Sequence, residues 1–237
     1  MMKRMKNCIA ILGVYALSTV LLHADGILSG SGVSLGGNID VLSSYVWRGF
    51  ELDADPVVQT GISVAYGGLT VEWLTSNKLV YDYPVNSSEI DYVVDYTHNF
   101  GGLSVSAGHT FYVFPAFSDT SGEFYIGGAL DTFLSPAVFF FSDYDEGDGS
   151  YVLAQVARSE ELGPSKSMDY SLSVGINDGM WIDGNGGDIS AGLSFTFALF
   201  EGLDMTPSFG YVIPFGDMED ETDDNLFFAG ASLGFGF

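Results

Sequence analysis

The sequence predicts an all-β protein, a transmembrane antiparallel up-and-down β-barrel of about twelve strands. Three observations carry that expectation: an export signal at the start, alternation of apolar with small or polar side chains along nearly all the rest, and an alternating last strand that ends on an aromatic residue. That last stretch, NLFFAGASLGFGF at 225–237, shows the pattern plainly. Phe227, Ala229, Ala231, Leu233, Phe235 and Phe237 fall on one face at period two, and Phe228, Gly230, Ser232, Gly234 and Gly236 fall on the other.

The chain divides into a signal peptide at 1–24 and a barrel at 25–237. A basic start (MMKRMKN), an apolar run at 8–22 too short to span, and Ala24 before a polar residue make the secretory signal. Cys8 is the only cysteine, so the mature chain offers neither a disulfide nor a thiol ligand. Cleavage after Ala24 removes Lys3, Arg4 and Lys6 and takes the formal net charge from −24 to −27. Such acidity argues against nucleic acid and anionic headgroups as partners. Hydrophobic residues make up 47% of the sequence, yet no stretch after residue 24 has the ~18 consecutive apolar residues of a membrane helix. In a bilayer an exported chain of this kind satisfies its backbone only as a closed barrel, which implies the outer membrane of a Gram-negative bacterium and its lipid as the surroundings.

The strands can be placed in order. The first spans 35–49, with Ile39, Val41, Tyr45 and Trp47 on the apolar face and Asn38, Asp40, Ser44 and Arg48 on the other. The second, 57–66, sets Val58, Ile62, Val64 and Tyr66 against Gln59, Gly61 and Ser63, and Gly67 and Gly68 turn it into the third, where Leu69, Val71 and Trp73 oppose Thr70 and Glu72. The fourth alternates Ile90, Tyr92, Val94 and Tyr96 with Asp91, Val93, Asp95 and Thr97. Gly101 and Gly102 lead to the fifth, with Leu103, Val105 and Phe111 opposite Ser104, Ser106 and Thr110. The sixth and seventh, near 123–131 and 137–144, have no clean face because Phe139, Phe140 and Phe141 are consecutive. Strand eight lies within 151–158. Strand nine opposes Tyr170, Leu172 and Val174 to Ser171, Ser173 and Gly175, and strand ten opposes Ile189, Leu193 and Phe195 to Asp188, Ser190 and Ser194. Strand eleven, 203–215, contains Pro207 and Pro214, which sit poorly inside a ladder.

Connections alternate short and long, as in barrels with tight periplasmic turns and longer outer loops. Aromatic residues stand at both ends of the apolar face: Trp47, Phe111 and Tyr211 toward the outer side, Tyr66, Tyr96, Phe100, Phe235 and Phe237 toward the periplasm. A soluble sandwich would need large side chains on its inner face. Here the face opposite the apolar one is mostly Gly, Ser, Thr and Ala with scattered acids, too small to fill a core. The large side chains therefore face lipid, and the small inner face predicts an open lumen. No outer loop is long enough for an adhesive domain or a plug.

A terminal strand ending in Phe resembles the closing strand of bacterial outer-membrane barrels. VLSSYVWRGFELDADPVVQTGISVAYGGLTVEWLTSN (41–77) in turn resembles the opening of the TorF family of porin-like proteins, also called the Gcw_chp family. The shared features are S-x-Y-x-x-R-G on Ser43 or Ser44, Tyr45, Arg48 and Gly49, then Pro56, Gln59 and Gly61, then Trp73, Ser76 and Asn77. The stretch 89–115 and EFYIG at 123–127 are also similar to that family, and the sequence departs from it at Trp47 and His109. The resemblance implies an outer-membrane porin.

No catalytic constellation is expected. After residue 24 only His98 and His109 remain, both on the apolar face, with no serine beside them on the other. DGNGGD at 183–188 and DMEDETDD at 217–224 offer oxygen ligands without the spacing of a calcium loop, so they read as solvated acidic loops. No cofactor or metal site follows. The residues expected to line a pore are Asp40, Arg48, Glu72, Asp91, Asp95, Arg158 and Asp188, with Arg48 and Glu72 as an ion pair in the wall. The function expected is a porin, a passive channel for small cationic or neutral solutes. The alternative is a closed barrel that binds partners or supports the surface through its acidic outer loops.

Overall fold

The computed structural model describes residues 32–80, 88–222 and 225–236. The expected signal peptide and Phe237 lie outside them. β1 (Val33–Leu42) is followed by two short strands, β2 (Tyr45–Trp47) and β3 (Phe50–Asp53), that take no part in the wall. The chain then runs through β4 (Val57–Tyr66), β5 (Leu69–Lys78), β6 (Ser88–Phe100), β7 (Leu103–Phe114), β8 (Asp119–Leu130) and β9 (Ala137–Asp143). It continues through β10 (Gly149–Gly163), β11 (Lys166–Asp178), β12 (Asn185–Phe200) and β13 (Leu203–Gly216) to a helical turn, α1 (Asp217–Glu221), and β14 (Leu226–Gly236).

Twelve of these strands close into one ring in which every wall strand pairs with its sequence neighbour and β1 pairs with β14. All the ladders are antiparallel, with Asp40 opposite both Gln59 and Ser232. The tight turn from β4 to β5 places Gly67 and Gly68 at φ 59° and 91°, the mirror-image turn whose twist matches paired strands. β13 runs unbroken through Pro207, opposite Ala231, and Pro214, opposite Asp188.

The outer surface carries Ile62, Val64, Val71, Tyr92, Val94, Ile126, Leu172 and Ile176, all exposed. A soluble monomer does not display an apolar belt running around its whole circumference, whereas a membrane barrel requires one. Phe111 and Tyr211 stand on this surface near the long loops, and Tyr66, Tyr96 and Phe100 near the short turns.

Two expectations about the interior are corrected. The first strand ends at Leu42, not at residue 49. The Ser43 hydroxyl accepts the Ala229 N–H at 3.0 Å while the Ser43 N–H donates to the Ala229 carbonyl at 2.8 Å, so a side chain takes over the ladder and frees the backbone to turn inward. The β2–β3 hairpin then lies inside the ring, and Trp47 belongs to no membrane girdle. The second correction concerns size. On β8, β9 and β10 the inward residues are Tyr125, Phe139, Phe141, Tyr151 and Leu153, which form an apolar cluster with Trp47 packed against it. Small inward residues occur on other strands, as at Ser104, Ser106 and Thr110 on β7. The continuous run at 139–141 hid this arrangement, because Phe140 faces outward between two inward rings.

Candidate functional site

The lumen is narrowed from within by the tip of the β2–β3 hairpin. Trp47 pairs with Phe50 across a turn made of Arg48 at φ 48° and Gly49 at φ 89°. Both turn residues therefore have the positive φ of the mirror-image hairpin turn. Glycine takes that conformation freely, but an arginine there is held against a steric cost of about 1–2 kcal/mol. Its side chain shows what holds it. Arg48 Nη2 donates to Glu123 Oε1 at 2.9 Å and Nη1 to Glu123 Oε2, a fork-to-fork ion pair on β8. The guanidinium carbon lies 4.0 Å from the centre of the Phe141 ring, 4.5 Å from Trp47 and 4.9 Å from Tyr151. Tyr112 on β7 donates its hydroxyl to Glu123 at 3.3 Å, and Arg48 Nη1 reaches the Met180 sulfur at 3.2 Å.

The base of the hairpin is seated on the opposite wall. Val46 packs with Val212, Leu226 and Phe228, the inward apolar residues of β13 and β14. Two outer loops close over the tip. Met180 and Met218 are fully buried, Asn177 holds the Met180 backbone through bonds of 3.0 and 2.9 Å, and Thr222 donates to the Gly49 carbonyl at 3.2 Å. The hairpin and these two loops together occupy the mouth, and of the hairpin the strand pattern assigned residues 45–49 to the wall and the rest to an outer loop.

The expected pore residues are distributed as follows. Asp40 on β1 is buried on the lumen side and accepts the Asn38 amide at 2.6 Å. Glu72 on β5, and Asp91 and Asp95 on β6, alternate with the exposed Val71, Tyr92 and Tyr96 and so face inward. Asp95 accepts the Tyr125 hydroxyl from across the lumen wall at 2.8 Å. Asp188 is buried and accepts the Tyr151 and Ser190 hydroxyls, each at 2.6 Å. Arg48 is inside, but on the hairpin and paired with Glu123; the expected Arg48–Glu72 pair is not formed. Arg158 is a correction of side: Tyr151, Leu153 and Gln155 are buried and Val152 is exposed, so Arg158 sits with Val152 on the outer surface. There it binds Glu160 at 2.7 Å and lies over the Phe133 ring. Sequence reasoning missed Glu123, Tyr112 and Tyr151. The sole signal for Glu123 was an acid two residues before an inward tyrosine.

On the outer surface, His109 Nε2 and the Tyr144 hydroxyl are 2.9 Å apart, with Phe124 edge-on to the imidazole, so this histidine is satisfied within the aromatic belt. His98 stacks edge-on with Phe100. In the acidic loops, Asp217 accepts the Asn185 N–H at 2.6 Å, and no cluster of three or more potential metal ligands occurs among the described residues.

A closed ring of twelve antiparallel strands, an apolar outer girdle and an interior that combines buried acids with aromatic clusters define a β-barrel of the bacterial outer-membrane kind. Its fold is similar to the KdgM porin, with a TM-score of 0.58 at 12% identity over 86% of this chain and 99% of that one. It is also similar to the COG4313 outer membrane channel from Pseudomonas putida F1, with a TM-score of 0.52 at 10% identity over 87% and 96%. The NanC porin gives 0.51 at 11% identity over 86% and 98%. No family model and no curated protein matches the sequence.

Proposed function

We propose that this protein is a passive outer-membrane channel for small cationic or neutral solutes, narrowed by its own hairpin. One observation carries the sign of the charge. Among the described residues the basic groups on the lumen side are Arg48 and Lys78, and both are already matched by acids: Arg48 by Glu123, Lys78 by Asp53 at 3.1 Å and Asp55 at 3.7 Å. Asp40, Glu72, Glu89, Asp91, Asp95 and Asp188 remain on the inner wall with no basic partner described. A passage lined in this way concentrates cations and repels anions. One solved form of the KdgM porin is in complex with disordered oligogalacturonate; the acid-lined wall here suits solutes of the opposite charge.

The TorF-type motif supports the same reading, since S-x-Y-x-x-R-G coincides with the segment that turns inward and makes the Arg48–Gly49 turn. The outer-face positions of His98 and His109 support a channel rather than an enzyme. A second reading, a closed barrel that acts at the surface through its acidic loops, draws on the hairpin and the two buried methionines that occupy the mouth. Single-channel recording of refolded protein in planar bilayers separates the two. Discrete conductance steps, with a reversal potential of cationic sign under a salt gradient, support the channel. A folded but silent barrel supports the surface reading, and an anionic sign overturns the proposed selectivity.

A further inference from the structure

The surroundings of Arg48 have the make-up of a ligand site, and nearly all of it belongs to the wall. Glu123 on β8 presents both carboxylate oxygens to one planar cation. Phe141 on β9 and Tyr151 on β10 supply ring faces 4.0 and 4.9 Å from the guanidinium carbon. Glu123 is itself held by the Tyr112 hydroxyl and Tyr151 by Asp188, so two of the three groups are positioned by bonds that do not involve Arg48. Glu123, Phe141 and Tyr151 are all almost completely buried. Their occupant arrives on a hairpin that is not hydrogen-bonded into the barrel ladder.

We propose that Glu123, Phe141 and Tyr151 form a guanidinium-binding site in the barrel wall, that Arg48 is its tethered occupant, and that free alkylguanidinium compounds bind there when Arg48 is withdrawn. The chemistry is specific to that class. A carboxylate meeting two parallel N–H groups rewards the flat fork of a guanidinium, and ring faces stack on its plane. An alkylammonium of equal charge is compact and strongly hydrated, so it keeps the attraction to the rings but forfeits the two-point bond. Loss of Arg48 leaves Glu123 buried and unmatched, a state that favours uptake of a replacement cation.

The test uses the full-length barrel refolded in detergent with Arg48→Gly, and in parallel Arg48→Asn, because glycine and asparagine both tolerate the positive φ of the turn. Ethylguanidinium is the probe and ethylammonium at equal ionic strength the control, with binding read by calorimetry. The expected result is saturable binding of ethylguanidinium to both variants, at least fivefold tighter than ethylammonium and at least tenfold tighter than to wild type. Adding Glu123→Gln should abolish it. No binding, equal binding of the two cations, or binding that survives Glu123→Gln overturns the proposal. If the variants refold poorly, refolding yield becomes the readout: a gain with ethylguanidinium and none with ethylammonium supports the site, and no gain refutes it. The channel reading is judged separately. A silent variant that binds ethylguanidinium leaves the site standing and removes the channel, while a conducting variant that neither binds nor is blocked by ethylguanidinium does the reverse.

Discussion

The ε-methyl of Met218 lies 2.7 Å from where a side-chain carbon at Gly49 would stand. The α1 segment therefore closes on the tip of the hairpin at a spot where an added methyl would have to push the end of Met218 aside, and Gly49 also has the positive φ that glycine tolerates best.

Gly49→Ala should consequently loosen the plug without breaking the wall. The strained turn alone costs about 1–2 kcal/mol, and Met218 must move as well. In heat-modifiability gels the variant should still fold, and in bilayers it should give larger or noisier conductance steps than wild type. Unchanged conductance would separate the hairpin from the permeation path.

Asp95→Asn and Asp188→Asn remove inward carboxylates that have no basic partner described. Each should move the reversal potential under a salt gradient toward zero, and the pair should move it further. The effect should shrink as salt rises, since screening acts over about 10 Å at 0.1 M. Arg158→Gln supplies the contrast: this residue lies outside the lumen, so selectivity should not change.

Leu172 is exposed midway along β11, and its neighbour Ser173 is buried on the lumen side. Leu172→Arg should cost about 2–4 kcal/mol of stability in a bilayer, the range for arginine near the midplane of a barrel's lipid face. Denaturant titration in lipid vesicles measures it. A loss well below 1 kcal/mol would argue that this face does not meet lipid.

Tyr151→Phe removes the bond to Asp188 but keeps the ring beside Arg48. It leaves a buried carboxylate with one hydroxyl partner fewer, so a loss of about 1–3 kcal/mol is expected. The same denaturant titration checks it, and an unaffected midpoint would count against Asp188 as a structural acceptor.

The wall was legible because period-two alternation is imposed on every strand that separates lipid from lumen. The short and long connections, the aromatic ends and the inward side of Asp40, Glu72, Asp91, Asp95 and Asp188 all follow from it. Parity misled where the chain left the wall. Tyr45 and Trp47 continue the alternation of β1, and nothing local distinguishes a ladder that goes on from one that Ser43 ends by hydrogen-bonding Ala229. Arg-Gly at a turn was the available clue, because that dipeptide places glycine where a hairpin wants positive φ. Arg158 was misplaced by a different error. The sequence reading of strand eight, 151–158, assigns no faces, and once Tyr151 is fixed inward by Asp188 every even-numbered residue of β10 must point outward. Glu123 was invisible as a site because its meaning depends on a partner 75 residues earlier in the chain.

The seam between β1 and β14 joins the two ends of the described chain. It is rich in glycine, with Gly36, Gly37, Gly230, Gly234 and Gly236 among the paired residues. A ring of this connectivity cannot shut before its last strand has been delivered, and the inward hairpin belongs to its first. The hairpin must therefore be enclosed while the cylinder is still an open sheet, or thread in through the mouth afterwards. Val46 rests on Val212, Leu226 and Phe228, which belong to the last two strands, so its seat exists only once those two strands are in place. Sealing the seam and docking the hairpin thus draw on the same strand, β14, and a defect in either should appear as a failure of biogenesis before it appears as a failure of transport.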